Sequence, residues 1–556
     1  MAEKKEFAGL KALPPVSMSM TDTRWNRTGD WSFFEPLHTE KISPCATDCP
    51  VGEPIHQYLH LVHEERFHEA WEMIMAVNPM PAVCGRVCYH RCESQCNRGE
   101  LDAVLNIHSV ERFLGDLAIE SDWSINQPAK KIGGEPVAIV GSGPAGLSCA
   151  YHLRLLGYSV VVYERESQPG GMLRVGVPGY RLPRKILDAE IARLEKMGIE
   201  IRCGEAVTDI ERLADGARAV FLATGAHGSR NPGVDGLDKT GVRFGLDFLK
   251  DYNAGKSPET GGRVAVIGGG NTAIDVARAG RRLGAQVDVL YRRTEEEMPA
   301  HAEEVDQARQ EGVQFHFQVA PTEVTGNGVA TGLTLQRMQQ GKPDESGRRR
   351  PEPISGSEFQ VDAGCVVFAI GEAPELDYLA QQGERDGARL RVDSLGATSI
   401  SGVFAGGDIR SGSENTVTHG LADGRVAARN IHNFIMGKNQ PAAQETETQV
   451  VGFSQINTDY FDKAARLENP VVTGDAPPDN GAELDRTFTV DEVKREAARC
   501  FNCGTCIHCD NCVIFCPDLA VSCVDGQYKV NKDYCKGCGI CVEECPRYII
   551  TMEKKR

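Results

Sequence analysis

The same cysteine phrase is written twice, as CIHCDNCVIFCP from Cys506 to Pro517 and CKGCGICVEECP from Cys535 to Pro546. Each reads C-x2-C-x2-C-x3-C-P, a spacing that feeds [4Fe–4S] cubes with three thiolates from one run and the fourth from the other. Cys506, Cys509, Cys512 and Cys545 form one such set; Cys535, Cys538, Cys541 and Cys516 form the other. A zinc ribbon is the rival reading, but it uses paired C-x2-C knuckles rather than three-plus-one runs closed by proline. Cys500 and Cys503 continue the same step into Cys506, so the upstream edge of the register stays open. They support ligands, replace them or are spare, and Cys523 reads as packing.

A second chemistry is carried by glycines. VAIVGSGPAGLSCAYHLRLLGYSVVVYERE, from Val137, runs an apolar strand into Gly141-x-Gly143-x-x-Gly146, then a helical pattern, then a strand ending at Glu164. Strand before, helix after and an acid about twenty residues on make a dinucleotide site. The helix N-terminus stabilises a pyrophosphate and Glu164 accepts from a ribose. RVAVIGGGNTAIDVARAGRRLGAQVDVLYRRTEEEMPA, from Arg263, repeats the logic with Gly268-x-Gly270-x-x-Ala273. Here the second strand ends at Arg292 and Arg293. Two guanidiniums in place of the acid suit a 2′-phosphate, which favours NADPH over NADH. Glu295, Glu296 and Glu297 follow at once and oppose that preference.

The elements that position these groups follow from pattern and composition. The 556 residues suffice for three or four domains. A formal charge of −17, from 61 basic and 78 acidic residues, argues against nucleic acid and anionic membranes as partners. No apolar run has the length of a membrane span, and the first residues lack a secretory apolar core. Seventeen of the 20 cysteines fall into two groups, so reduced cytoplasmic thiolates on metal are expected rather than disulfides. Residues 1–130 read as an irregular arm and a helical, cysteine-bearing domain. Alternating β-branched and helical patterns from Val137 to Gly437 predict parallel α/β structure, and residues 438–490 an extended connector. The last 66 residues, 491–556, hold the doubled phrase.

Two nucleotide motifs in one chain resemble the two-dinucleotide-domain flavoproteins. FLATGA (221–226), VVFAIGEAPE (366–375), GVFAGGDIR (402–410), GGML (170–173) and GVPGYRLP (176–183) extend the likeness. The resemblance implies an FAD domain in two parts, 131–250 and 371–437, with an NAD(P) domain, 251–370, inserted. It implies FAD contacts at Gly141, Gly143, Pro144, Ala145, Gly146, Glu164, Gly171, Met172, Arg174, Ala223, Thr224, Gly225, Gly407 and Thr418, with Asp408 on the ribityl chain. NAD(P) contacts are implied at Gly268, Gly270, Asn271, Thr272, Ala273, Arg292, Arg293 and Gly371. The body's Cys149, Cys203 and Cys365 form no C-x-x-C pair, so disulfide reduction is not expected. The doubled phrase resembles a bacterial two-cluster ferredoxin and implies a small α+β domain.

CATDCPVGEPI (45–55) and NPMPAVCGRVCYHRCESQCNRG (78–99) sharpen the likeness over roughly residues 40–435. There the chain resembles the small subunit of glutamate synthase and its relatives, with a helical iron–sulfur domain ahead of the FAD and NAD(P) domains. That resemblance implies a third cluster on Cys49, Cys88, Cys92 and Cys96. A fourth, common in the family, lacks its upstream C-x2-C pair here. Cys45, Cys84 and Glu111, with a ligand such as His38, are its candidates; spare thiols and a surface glutamate are the alternative.

A nicotinamide gives up a hydride and a cube takes one electron, so a flavin between them is the natural converter. The expected function is electron transfer between NAD(P)H, FAD and clusters, to or from a larger redox subunit or soluble ferredoxin. No catalytic acid or base is identified. A glutamate synthase small subunit, a flavin-based bifurcating subunit and a non-catalytic scaffold are the alternatives.

Overall fold

Alternating apolar strands and amphipathic helices build two five-stranded parallel sheets in this computed structural model, which describes residues 27–125, 132–343, 347–379, 382–438, 449–469, 483 and 485–555. Parts of the expected N-terminal arm, of the joint at 127–136 and of the 438–490 connector lie outside the described residues. The first sheet orders its strands Val403–Ala405, Val220–Leu222, Val137–Val140, Val160–Glu164 and Glu200–Cys203. The second orders them Gln314–Phe317, Gln286–Tyr291, Arg263–Ile267, Cys365–Phe368 and Val242–Phe244. The strand VAIV is buried at all four positions, as a strand covered on both faces must be.

The chain leaves the first sheet after Leu222, completes the second and returns at Val403. A short antiparallel pair, Gly228–Ser229 with Glu372–Ala373, marks the double crossing. Off the second sheet stands an antiparallel layer of Val319–Thr325, Gly332–Pro343, Arg349–Pro353 and Phe359–Asp362. Each glycine motif therefore sits at the carboxyl end of a central parallel strand, where such sheets bind ligands.

The helix Val417–Ile435 crosses the first nucleotide helix, Pro144–Leu155, with backbones touching. A Cβ at Gly424 would lie 2.2 Å from the Ala145 carbonyl oxygen. Ser148 Oγ donates to the Leu421 carbonyl at 2.7 Å across the same crossing.

Six short helices between Pro44 and Glu120 form the cysteine-bearing domain of this larger unit. Tyr58, Val62, Ile74, Val110 and Leu114 are its core, joined by Phe488, Val493 and Ala497 from the other end of the chain. The larger unit spans Pro44–Thr448 and Ala464–Cys500. The helix Val490–Ala498 thus packs with the early helices, and its start is fixed by a capping box of Thr489 and Glu492. Glu496, fully buried, ties the strap down. It accepts from the Asn106 backbone N–H at 2.9 Å, the Leu467 N–H at 3.0 Å and the Arg499 guanidinium at 2.6 Å.

The smaller unit comprises Met1–Ser43, Gln449–Lys463 and Phe501–Arg556. Its strand Phe34–His38 pairs antiparallel with Ile550–Lys554, and a hairpin joins Val521–Val524 to Gln527–Val530. Cys512, Val521, Cys541, Cys545, Ile549 and Ile550 are its core. No disulfide links any of the cysteines. No helix among the described residues is long and apolar enough to cross a membrane.

Replacing Glu496 by alanine leaves the buried Asn106 N–H and the part-buried Leu467 N–H without their acceptor and removes one carboxylate from the Arg499 guanidinium. The expected cost is about 2–4 kcal/mol, read as a lower urea midpoint and faster proteolysis between residues 464 and 500. An unchanged midpoint and cleavage rate would remove the strap's assigned role.

Candidate functional site

The first glycine motif is built as its chemistry requires. Gly141 has φ +103°, and a Cβ there would lie 2.4 Å from the Ala223 carbonyl oxygen. At Gly143 nothing approaches within 4 Å of the missing Cβ, which leaves open the cradle in front of the helix N-terminus. Glu164 is buried at the end of its strand, and its carboxylate accepts from the Ser142 N–H at 2.9 Å, the Ser142 hydroxyl at 2.5 Å and the Glu166 N–H at 2.9 Å. A cavity of about 420 Å³ opens here, within the range of cofactor sites.

Gly141, Gly143, Pro144, Ala145, Glu164, Gly171, Met172, Ala223, Thr224, Gly225, Gly407 and Asp408 all line that cavity. Burial raises the Asp408 carboxyl above its usual range. Gly146 packs beneath the turn, where a Cβ would meet the Gly141 carbonyl oxygen at 1.9 Å. Arg174 turns elsewhere, to Asp188 and the Pro169 carbonyl, both at 2.5 Å. Thr418 also lies off the cavity wall, with its side chain beside the Cys88 thiol. Three lining groups belong to no motif. The Tyr378 hydroxyl meets Thr224 Oγ1 at 3.2 Å, Arg165 pairs with Glu375 at 2.7 Å, and His227 is held near pKa 4 by burial.

The second motif repeats the geometry. Gly268 has φ +148° with its absent Cβ 2.1 Å from the Ala369 carbonyl oxygen, while the Cβ direction of Gly270 is open. Ala273 is buried in the helix packing. Asn271 Oδ1 accepts from the His301 N–H at 3.0 Å, and Thr272 Oγ1 donates to Glu372 Oε1 at 3.1 Å. Gly371, at φ +108°, passes beside Arg230. The two arginines at the strand end have separate environments: Arg292 is exposed, whereas Arg293 is buried and donates from Nε to the Arg349 carbonyl at 3.0 Å.

In the smaller unit the doubled phrase gathers around two hollows. Cys506, Cys509, Cys512 and Cys545 line one with His38 and Tyr528, whose rings stack 5.8 Å apart. Cys516, Cys535, Cys538 and Cys541 line the other. Neither hollow includes Cys500 or Cys503. Cys500 is buried in the same core as Cys45, with Cys49, Cys92 and Cys96 partly buried against it. Cys523 is exposed on its hairpin rather than packed inside.

In the helical domain, burial pushes up the thiols of Cys49, Cys88 and Cys92, that of Cys88 to about 12. A metal that binds them must displace those protons. Cys96 has Glu93 and Arg499 as its charged neighbours, whereas Glu111 acts on Cys49, Cys84 and Cys88. Buried Glu111 accepts from Asn78 Nδ2 at 3.0 Å, and the same nitrogen donates to Glu53 at 2.7 Å. Burial raises both carboxyls above their usual range, and the charge of Glu53 raises that of Glu111 further. Cys84 Sγ donates to Asn78 Oδ1 at 3.8 Å. Glu53 and Asn78 have no sequence signal beyond their nearness to Cys49 and Cys84.

His90, Glu93 and His108 place three ligand atoms within 4.8 Å of one another. Their partners assign them a structural task. His108 bonds Glu93 through Nδ1 at 2.8 Å and Asn469 through Nε2 at 3.0 Å, and Arg466 pairs with Glu93 at 2.9 Å. The group fastens residues 466–469 to the helical domain.

This fold and these sites define an oxidoreductase that joins a pyridine nucleotide to a flavin and to iron–sulfur ligand sets. The pyridine nucleotide-disulphide oxidoreductase model matches residues 135–424, and the chain belongs to that family. A model of dihydropyrimidine dehydrogenase domain II with its 4Fe-4S cluster matches residues 39–123, and a 4Fe-4S binding domain matches residues 528–551. The chain is 37% identical over 508 residues to the NADPH-Fe(3+) oxidoreductase subunit beta of Geobacter sulfurreducens, covering 83% of this chain and 75% of that one. It is 38% identical to the NADP(+)-dependent formate dehydrogenase subunit beta of Moorella thermoacetica, covering 84% and 71%. It is 37% identical to the glutamate synthase [NADPH] small chain of Escherichia coli, covering 70% and 88%. The chain is an NAD(P)H-dependent electron-transfer oxidoreductase of the glutamate synthase small-subunit type.

A Gly141→Ala chain should lose FAD while retaining iron, because the added carbon strikes the Ala223 carbonyl. Gly268→Ala should retain both and lose reduction by NADPH. Flavin absorbance, iron content and anaerobic NADPH titration read the pair; equal FAD loss in both variants would overturn the assignment of the two motifs.

Proposed function

We propose that the chain takes electrons from NADPH and delivers them, through bound FAD and three [4Fe–4S] clusters, to a partner redox subunit. The observation that carries this reading is the first turn of the helix Val417–Ile435. Val417 and Gly420 line the flavin cavity, Thr418 between them lies beside the thiol of Cys88, and Arg425 of the same helix donates to the Val51 carbonyl at 2.7 Å, two residues from Cys49. One turn of helix thus touches the flavin site and a cluster ligand. FAD in that cavity supplies the conversion of a hydride into single electrons.

The residues' own tasks are to bind and to orient. The two helix N-termini, Pro144–Leu155 and Asn271–Arg282, receive pyrophosphates. Glu164 and Asp408 hold hydroxyls of FAD. Cys49, Cys88, Cys92 and Cys96 hold the cluster next to the flavin, and the two sets of the smaller unit hold the other two. Cys45, Cys84 and Glu111 are the candidate ligands of a fourth. The domain boundaries read from the sequence serve this reading, with the strap Ala464–Cys500 added to the helical domain.

The relatives support NADPH as reductant and assembly with a second subunit. Each is named for NADPH or NADP(+), and two are named as beta subunits, the third as a small chain. Their names span ferric iron, formate and glutamate synthesis. The terminal acceptor therefore belongs to the partner, and the reading extends to a cytoplasmic hetero-oligomer.

Anaerobic purification with partners, followed by iron and flavin analysis, tests the carrier count. About twelve irons and one FAD per chain are expected; about eight would remove the helical-domain cluster, and about sixteen would add a fourth. Thr418→Val should leave FAD and iron contents intact and shift the potential of the adjacent cluster, measured by redox titration followed by electron paramagnetic resonance. An unshifted spectrum would break the proposed link between cavity and cluster.

A further inference from the structure

We infer that the 2′-phosphate of NADPH is gripped from two sides, by Arg292 at its strand end and by one of the adjacent arginines Arg349 and Arg350 of the antiparallel layer that follows the nucleotide fold. The inference rests on the NADPH reading above and assigns a specificity role to a segment that no nucleotide motif contains.

The argument begins with what Arg293 does. Two consecutive arginines at the end of Gln286–Tyr291 stand where a ribose-binding acid would otherwise be. Arg293 is only 8% exposed, and its Nε donates to the Arg349 carbonyl at 3.0 Å. That guanidinium anchors the start of the strand Arg349–Pro353, and Arg292 is left as the exposed one of the pair.

The anchoring is two-handed. The Arg349 N–H donates to Glu297 Oε1 at 2.7 Å. On the other side of the junction, the Arg293 carbonyl accepts from the Gln318 N–H at 3.0 Å. Residue 349 is therefore pinned through both its backbone groups to the turn that follows the ribose-binding strand end. Arg349 and Arg350 are both exposed. Successive side chains of a strand project to opposite faces, so the pair presents a guanidinium on each face of the pinned strand.

The acids after Arg293 do not cancel this charge. Glu297 is committed to the Arg349 N–H, and Glu295 pairs with Arg309 at 2.5 Å. The two carboxylates shape the turn and hold the basic strand. Guanidiniums are the side chains suited to a phosphate dianion, since each offers a planar fork of donors.

The test uses the FAD-loaded protein and two probes that differ only in the 2′-phosphate, 2′,5′-ADP and 5′-AMP, with binding followed by calorimetry. In Arg349→Ala/Arg350→Ala, 2′,5′-ADP should bind about ten- to a hundredfold more weakly, and 5′-AMP as before. Arg292→Ala should behave alike. The single variants Arg349→Ala and Arg350→Ala show which face carries the grip, and the kcat/KM for NADPH should fall with KM rising and kcat kept. Unchanged 2′,5′-ADP binding in the double variant would overturn the inference, and so would an equal loss for both probes. If the unsubstituted protein binds 5′-AMP as tightly as 2′,5′-ADP, the NADPH reading itself falls and takes the inference with it.

Discussion

Contact between two helix backbones governs the layout of the redox sites. Pro144–Leu155 begins at the pyrophosphate loop and Val417–Ile435 begins at the flavin cavity wall. They cross so closely that no side chain fits at Gly424. Close approach at one point fixes the next two residues along: Gly420 can border the cavity only because the crossing draws its turn inward. Thr418 then faces away toward Cys88. A bulkier crossing would move the cavity wall away from the pyrophosphate loop by the width of a side chain.

What the sequence made legible was the chemistry held in short spacings. A glycine turn and its helix lie within six residues, and the thiolate sets are written in steps of two and three. Both glycine turns and both cysteine-lined hollows of the smaller unit were therefore readable, and the insertion of one nucleotide fold in the other was implied by the resemblance to two-dinucleotide-domain flavoproteins. The rest depended on distant partners. Arg293 has the same local pattern as Arg292 and differs because a strand some fifty residues on accepts its hydrogen bond. Thr418 meets a cysteine over three hundred residues earlier. Arg174 looked like a flavin contact until Asp188 and Pro169 claimed it, and Cys523, expected in the interior, stands on an exposed strand.

Beneath the helical domain's cysteines lies a polar knot that no motif announced. Two carboxyls and one amide, Glu53, Glu111 and Asn78, are buried together and bonded to one another. Two full charges at that depth are costly, and burial raises both carboxyls accordingly. The knot joins the loop after Cys49 and the segment of Asn78 and Cys84 to the helix Ile107–Glu120, so those two cysteine-bearing segments are tied to one helix by hydrogen bonds. A cluster site assembled from short helices needs such internal ties, because short helices have little stability of their own.

The strap Ala464–Cys500 places a demand on biosynthesis. Helices that emerge early, between Pro44 and Glu120, finish their core only when Phe488, Val493 and Ala497 have been made. At ordinary translation rates this is an interval of roughly 20 to 80 s. Through that time the thiols of Cys49, Cys88, Cys92 and Cys96 belong to a nascent domain with one wall missing. On the reading proposed above, iron delivery to those thiols waits for the strap, and this domain's completion runs against the order of the chain.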